Sequence, residues 1–261
     1  MHPILIDLGF YALPAYGLLL ATAVLVALWT AKLRADDAGM DAAKVVDFGL
    51  WLVIWALLGA KILLVVVEWK RYLGDPAQLL GLARAGGVFL GGFLAAVVAA
   101  AVMLRRYRLK ALPTFDVLSP SLALGQAIGR VGCLLAGCCW GRECDLPWAI
   151  TYTDPAAAAN VGTPLHLAVH PFPAYAAAFN FSVFLVLSRL YRRELAPGRV
   201  FASYLILYGL GRFLLEFTRG DEVRGLYFGG LISTSQLITA ALVTTGIAIH
   251  WWISRRGARS L

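Results

Sequence analysis

Charge is what this sequence has least of. Only 15% of its 261 residues are Asp, Glu, Lys or Arg, against roughly 25% in soluble globular domains. That scarcity excludes a chain that keeps most of its surface in water. Histidine is rare, and cysteine is confined to one stretch: Cys133, Cys138, Cys139 and Cys144. The cysteines are not spread as a disulfide framework would be, and no two stand in a C-x-x-C spacing. No basic n-region with a short apolar run and an A-x-A site opens the chain, so no cleaved signal peptide is expected. There is no clear internal repeat or broken-helix pair, which argues against a transporter.

What the chain has instead is apolar length. Hydrophobic residues make up 60% of it, and its mean hydropathy is +0.75. A helix needs about 20 mostly apolar residues to cross a bilayer. Seven segments meet that need, near 13–33, 45–69, 86–104, 116–137, 172–191, 200–218 and 232–253. The expected fold is an all-α integral membrane protein of about seven transmembrane helices, forming one polytopic domain over 1–261 with no room for a soluble one. The fourth segment is the least hydrophobic. Its Gly125, Gly129, Gly132, Ala136 and Gly137 offer close-packing faces to neighbouring helices.

The net charge of +8 would suggest a nucleic-acid partner in a soluble protein. Here the basic residues report orientation instead, and no nucleic acid is expected. Thirteen Lys and Arg fall on the side holding the first, third and fifth loops and the C-terminus, and six fall on the other side. The positive-inside rule places the thirteen in the cytoplasm. The N-terminus is then outside and the C-terminus inside, as an odd number of spans requires. The longest loop, 138–171, lies on the outer side. Its Trp148–Tyr152 stretch alternates large and small residues and predicts a short strand or hairpin, so the loop reads as a site cover or binding surface rather than a linker.

Lys61, Arg130, Arg189 and Arg212 fall in or near the ends of spans. Arg189 is close enough to the cytoplasmic end to snorkel. Ionisable groups at membrane depth are costly and mark functional sites by default. Arg130 sits about two turns below Cys138, between Gly129 and Gly132, which leave space for an anionic headgroup. The alternative is a structural arginine paired with a carboxylate on another span. Arg212 and Glu216 stand at i and i+4, with Arg219 three residues further, so the three are expected along one helix edge. Planar guanidinium forks suit a phosphate. The alternative is an ion pair satisfied within the helix.

Gly86, Gly87, Gly91 and Gly92 let backbone approach a ligand or another helix. His170, before Pro171 at the start of the fifth span, has the chemistry of a general base or of a structural interfacial histidine. Tyr16 is compatible with an ordinary aromatic belt. Lys61 and Glu68 lie on one face as possible partners or as the lining of a polar cavity. The cysteines admit three readings: inert core residues, a Cys139–Cys144 disulfide on an oxidising outer side, or a nucleophile, although no base is adjacent in sequence. Their spacing does not suggest zinc, and neither metal nor cofactor is expected.

The chain resembles the bacterial prolipoprotein diacylglyceryl transferase family nearly end to end. The resemblance is carried by Tyr16-Gly17, Gly86-Gly87-x-Phe89-x-Gly91-Gly92, Gly129-Arg130-x-Gly132, Trp140-Gly141-Arg142, His170-Pro171, Tyr208-Gly209 and Arg212-x-x-x-Glu216-Phe217-x-Arg219. It implies seven spans, a bacterial cytoplasmic (inner) membrane location, and transfer of a diacylglyceryl group from phosphatidylglycerol to the lipobox cysteine of a prolipoprotein signal peptide. It also implies that Arg130, Arg212 and Glu216, with His170, do the chemistry. Tyr16, Gly87, Gly91, Gly92, Gly129, Gly132, Arg142 and Arg219 would contact substrate.

Several positions depart from the family. Leu90 stands where the family carries a histidine. Cys133 and Cys138 replace an asparagine and a glutamate, and Ala176 follows Tyr175 where a glutamate is usual. A variant branch carries the same Gly-Cys-x-x-Ala-Gly-Cys-Cys run. The other readings are a same-scaffold enzyme with another acceptor or another anionic phospholipid, and a non-enzymatic phospholipid-binding membrane protein.

Overall fold

The structure, a computed structural model, describes residues 4–7, 12–74, 81–82, 87–221, 225–227 and 232–257. Among them, seven helices are long and apolar enough to cross a membrane, so the chain is an all-α multi-pass membrane protein. They are α1 (Ala15–Asp37), α2 (Ala42–Val67), α4 (Phe89–Tyr107), α5 (Ala111–Ala136), α7 (Phe172–Tyr191), α8 (Arg199–Leu215, continued by a 3₁₀ turn, Glu216–Thr218) and α9 (Thr234–Gly257). Two short helices, α3 (Trp69–Gly74) and α6 (Pro155–Val161), lie between them.

The described residues also form three two-stranded antiparallel pairs: β1 (Ile4–Asp7) with β2 (Ala12–Pro14) ahead of α1, β3 (Ile150–Thr151) with β4 (Ala168–Val169) between α5 and α7, and β5 (Leu226–Tyr227) with β6 (Ile232–Ser233) between α8 and α9. The strand expected within 148–152 is β3, with Ile150 opposite Val169 and Thr151 opposite Ala168. The loop after α5 is therefore ordered. It is pinned by Asp154, which caps α6 by accepting from the Ala156 N–H at 2.8 Å, and by Thr163, which donates to the Gly137 carbonyl at 2.8 Å.

The chain divides into two compact units. The unit Ala31–Thr114 is built on α2 against α4. Gly87 and Gly91 form a G-x-x-x-G pair, the small-residue spacing by which membrane helices bring their backbones together. A side chain at Gly91 would meet the Gly59 carbonyl and Leu63, one at Gly92 would lie 2.8 Å from the Ala56 carbonyl, and one at Gly87 would lie 2.9 Å from the Ala60 Cβ. All three glycines thus serve a helix contact. Gly91→Leu is expected to cost about 1–3 kcal/mol by overpacking. Thermal unfolding in detergent measures it, with Gly74→Leu as the control, because space is open there. Lys61 and Glu68 are not partners of each other: Lys61 donates to the Leu82 carbonyl at 2.8 Å, and Glu68 pairs with Arg71 at 3.1 Å.

The other unit holds Met1–Thr30 and Phe115–Leu261. Its core gathers Ala123, Val183, Leu187, Val200, Tyr204 and Leu205. Buried Asp116 on α5 caps α8, accepting from the N–H groups of Gly198 at 2.5 Å and Phe201 at 2.7 Å. Such caps satisfy donors that a helix start leaves open. Gly125 and Gly132 pack against Ala23, Ala27 and Leu19 of α1, whereas Gly129 between them has nothing within 4 Å of where a Cβ would lie.

Candidate active site

Phe172, the first residue of α7, is fully buried. Three guanidinium carbons surround its ring: Arg130 at 5.7 Å from the centroid, Arg212 at 5.5 Å and Arg219 at 5.5 Å. The face of an aromatic ring carries negative quadrupole density, so it attracts each cation and offsets part of their mutual repulsion. Two arginines that the sequence puts on different spans, and a third beyond the end of one, thus share a single side chain.

Their other partners differ. Arg212 Nη1 donates to Glu216 Oε2 at 2.5 Å, and both residues are buried. The Ser233 hydroxyl also hydrogen-bonds this carboxylate. The intrahelical ion pair raised as one reading of the sequence therefore exists, and it leaves the rest of the Arg212 fork on the Phe172 ring. Arg130 is half-buried, and among the described residues it forms no salt bridge. The reading that pairs it with a carboxylate on another span is not what the fold shows.

Arg219 is not on the helix edge with Glu216. The helix stops at Leu215, a 3₁₀ turn follows, and Arg219 has extended backbone at φ −82°, ψ 139°. Its side chain forks onto Asp221 at 2.5 and 2.7 Å. Burial works against its charge, but the hydrogen bonds and charge of Asp221, with Cys139 and Glu216 nearby, lift its pKa above the ordinary arginine value.

A narrow backbone frame holds these groups. Residues 140–144 run between 218–220 on one side and 168–170 on the other. Gly220 N–H donates to the Trp140 carbonyl at 3.0 Å, Arg142 N–H to Thr218 at 2.9 Å, His170 N–H to Arg142 at 2.9 Å and Cys144 N–H to Ala168 at 3.0 Å. Gly141 has to be glycine here, because a Cβ would strike the His170 backbone. Arg142 itself is exposed, and its Nε donates to the Arg219 carbonyl at 3.2 Å. It therefore acts on the frame, fixing where Arg219 begins. The His170 ring pairs with Tyr175, Nδ1 standing 3.5 Å from the phenol oxygen, which in turn accepts from Trp148 Nε1 at 2.6 Å.

Tyr16 is partly exposed on α1, where Gly132 packs beside it. Gly91, Gly92 and the exposed Leu90 belong to α4, and Gly87 lies just before it, all in the second unit. That unit also contains a cleft of about 390 Å³ lined by residues including Asp41, Lys44, Tyr107, Arg108 and Lys110. The cleft holds none of the residues singled out in the sequence, and its Lys44 is neutralised by Asp41 at 2.9 Å.

The part played by Phe172 and the clustering of three of the cysteines were missed in the sequence. Phe172 gave no signal beyond following His170-Pro171. The thiols of Cys133, Cys138 and Cys139, all unpaired, lie within 4.8 Å of one another, so Cys139 is not joined to Cys144. Arg219 Nη2 reaches Cys139 Sγ at 3.9 Å. Hydrogen bonds from Cys133 and Cys138, then the charges of Arg130 and Arg219, hold the Cys139 thiol below its ordinary range.

Comparison with known proteins points to one family. A family model described as prolipoprotein diacylglyceryl transferase matches residues 3–252. The chain is 32% identical, over 95% of its length and 96% of the relative's, to a phosphatidylglycerol–prolipoprotein diacylglyceryl transferase of Clostridium tetani. It is 32% identical to the protein of that name from Thermosynechococcus vestitus, over 92% of this chain and 88% of the relative. The protein of that name from Symbiobacterium thermophilum is 31% identical, over 100% of this chain and 96% of the relative.

Proposed function

The chain belongs to the prolipoprotein diacylglyceryl transferase family, and we propose that it moves a diacylglyceryl group from phosphatidylglycerol to the lipobox cysteine thiol of a prolipoprotein signal peptide. Glycerol phosphate leaves. The observation that carries this reading is the grouping of Arg130, Arg212 and Arg219 on Phe172 in a membrane-spanning unit. A phosphodiester carries one negative charge. The departing phosphate monoester gains a second as the C–O bond breaks. Preorganised guanidinium groups stabilise that growing charge more than they stabilise bound lipid, which is the condition for catalysis.

In this reading Arg130 is the arginine most available to phosphate, and the open side of Gly129 gives a headgroup room beside it. Glu216 holds Arg212 in place. Asp221 and Arg142 place Arg219, and His170 borders the same frame. The outer end of the bundle carries the site, the C-terminus is cytoplasmic, and the membrane is the bacterial inner membrane. The excess of Lys and Arg on the opposite side supports that orientation.

The test is direct. Purified protein, a lipobox peptide and phosphatidylglycerol vesicles should give a peptide heavier by one diacylglyceryl group, with glycerol phosphate released. Glycerol phosphate without a peptide mass gain would indicate another acceptor. Neither product, under conditions where the Clostridium tetani relative is active, would overturn the reading.

A further inference from the structure

The arginines account for the leaving group but not for the nucleophile. A thiol attacks as its thiolate, so the reaction needs something that strips the acceptor sulfur of its proton. Glu216 is held by Arg212, the His170 ring faces Tyr175, and position 90 is leucine. The group best suited to handle a sulfur is the thiol cluster beside the arginines.

The end of α5 builds that cluster. Gly137 has φ +77°. Its N–H donates to the Leu134 carbonyl at 3.4 Å, and the Cys138 N–H to the Cys133 carbonyl at 3.1 Å. These are the two bonds of a Schellman cap, a motif that brings the residue after the left-handed position back against the last turn, usually in an apolar contact. Here the two residues brought together are Cys138 and Cys133. Cys139 then takes φ +58°, a left-handed conformation that non-glycine residues adopt at a cost. Its sulfur completes a trio whose members all lie within 4.8 Å of one another.

We propose that Cys133, Cys138 and Cys139 bind a zinc ion whose fourth position receives the acceptor cysteine as a zinc-bound thiolate. This rests on the transferase reading above. Zinc–sulfur bonds are about 2.3 Å, which places tetrahedral sulfurs roughly 3.8 Å apart, so the trio closes on zinc with shifts of about 1 Å. Three protein ligands with one open position is the pattern of a catalytic zinc site, whereas structural sites use four. Thiolates exclude magnesium and calcium, which take oxygen. The charges also suit the site: three thiolates on a divalent ion leave one net negative charge and a fourth makes two, and Arg130 and Arg219 both act on Cys139.

The step balances. As the acceptor sulfur binds zinc, its proton passes to water. A sulfur lone pair forms the S–C bond to the glyceryl carbon. The bond from that carbon to the phosphate oxygen breaks with both electrons going to oxygen, and glycerol phosphate departs against the arginines.

The experiment uses the full chain, purified in detergent under reducing conditions, loaded with Zn²⁺ and dialysed. About one zinc per chain is expected by elemental analysis, with Co²⁺ as the spectroscopic probe giving a thiolate-to-metal charge-transfer band. Cys138→Ser should reduce bound metal to background, and Cys144→Ser should retain it. Chelation to zero metal should lower peptide lipidation roughly a hundredfold, and added Zn²⁺ should restore it. A wild-type chain that retains no zinc and shows four reactive thiols, or a disulfide within the trio, overturns the site. Full transfer by metal-free protein overturns its catalytic role while the transferase reading stands. Zinc held by a chain that transfers nothing overturns the transferase reading and the acceptor role, and leaves only the ion site.

Discussion

Arg212→Ala is expected to lower diacylglyceryl transfer by about 10²–10³-fold, the usual cost of removing one preorganised group that stabilises developing charge. The same substitution should lower stability, for a separate reason. Arg212 and Glu216 are both buried and share a 2.5 Å ion pair. Removing one member of a buried pair strands the other charge, at about 3–5 kcal/mol, whereas removing both is far less damaging. Arg212→Ala combined with Glu216→Ala should therefore unfold at a higher temperature than Arg212→Ala alone while remaining as inactive. Thermal unfolding in detergent and the peptide-lipidation assay separate the two effects. Recovery of activity in the double variant would mean that the arginine supports structure only, and the phosphate role would fall. Arg212→Lys should lie between, because a point charge keeps the attraction but not the planar fork.

That pair was legible in the sequence because i, i+4 spacing on a helix fixes it without tertiary information. The seven spans were legible for a similar reason. Hydropathy reports a helix that faces lipid, and boundaries moved by only a few residues; α5, for example, begins at Ala111 rather than near 116. Legibility ended where the helices ended. Arg219 was expected one turn beyond Glu216 on the same edge, but after the 3₁₀ turn its backbone is extended and its carboxylate is Asp221. The cysteines show the same limit. On a continuous helix, at about 100° per residue, Cys133, Cys138 and Cys139 would point to three separate faces. The left-handed Gly137 folds the last two back onto the first, and the sequence spacing gives no sign of it. Gly87, Gly91 and Gly92 had two readings in sequence, and only the carbonyls of Gly59 and Ala56 opposite Gly91 and Gly92, with Ala60 opposite Gly87, show that helix packing employs them.

Phe172→Leu should separate the positioning of the arginines from their presence. Leucine keeps most of the buried apolar volume, so the fold should survive with a loss of about 1–2 kcal/mol. It removes the aromatic face on which Arg130, Arg212 and Arg219 converge at 5.5–5.7 Å. Each cation–π contact is worth about 0.5–2 kcal/mol. Without the ring, three like charges share a low-dielectric space with Glu216 and Asp221 as their main compensation, and Arg130, which has no salt bridge among the described residues, has the most freedom to swing away. Transfer should fall by about 10–100-fold in kcat/KM, close to what one or two lost contacts imply at 1.4 kcal/mol per tenfold. Phe172→Tyr keeps the face and tests the packing, because a hydroxyl in a fully buried position has to find a partner. If Phe172→Leu were as active as the parent, the ring would be core packing alone, and the arginines would owe their arrangement to the frame formed by residues 140–144, 168–170 and 218–220. In that case Gly141→Ala, which drives a methyl group into the His170 backbone, would be the substitution that abolishes transfer.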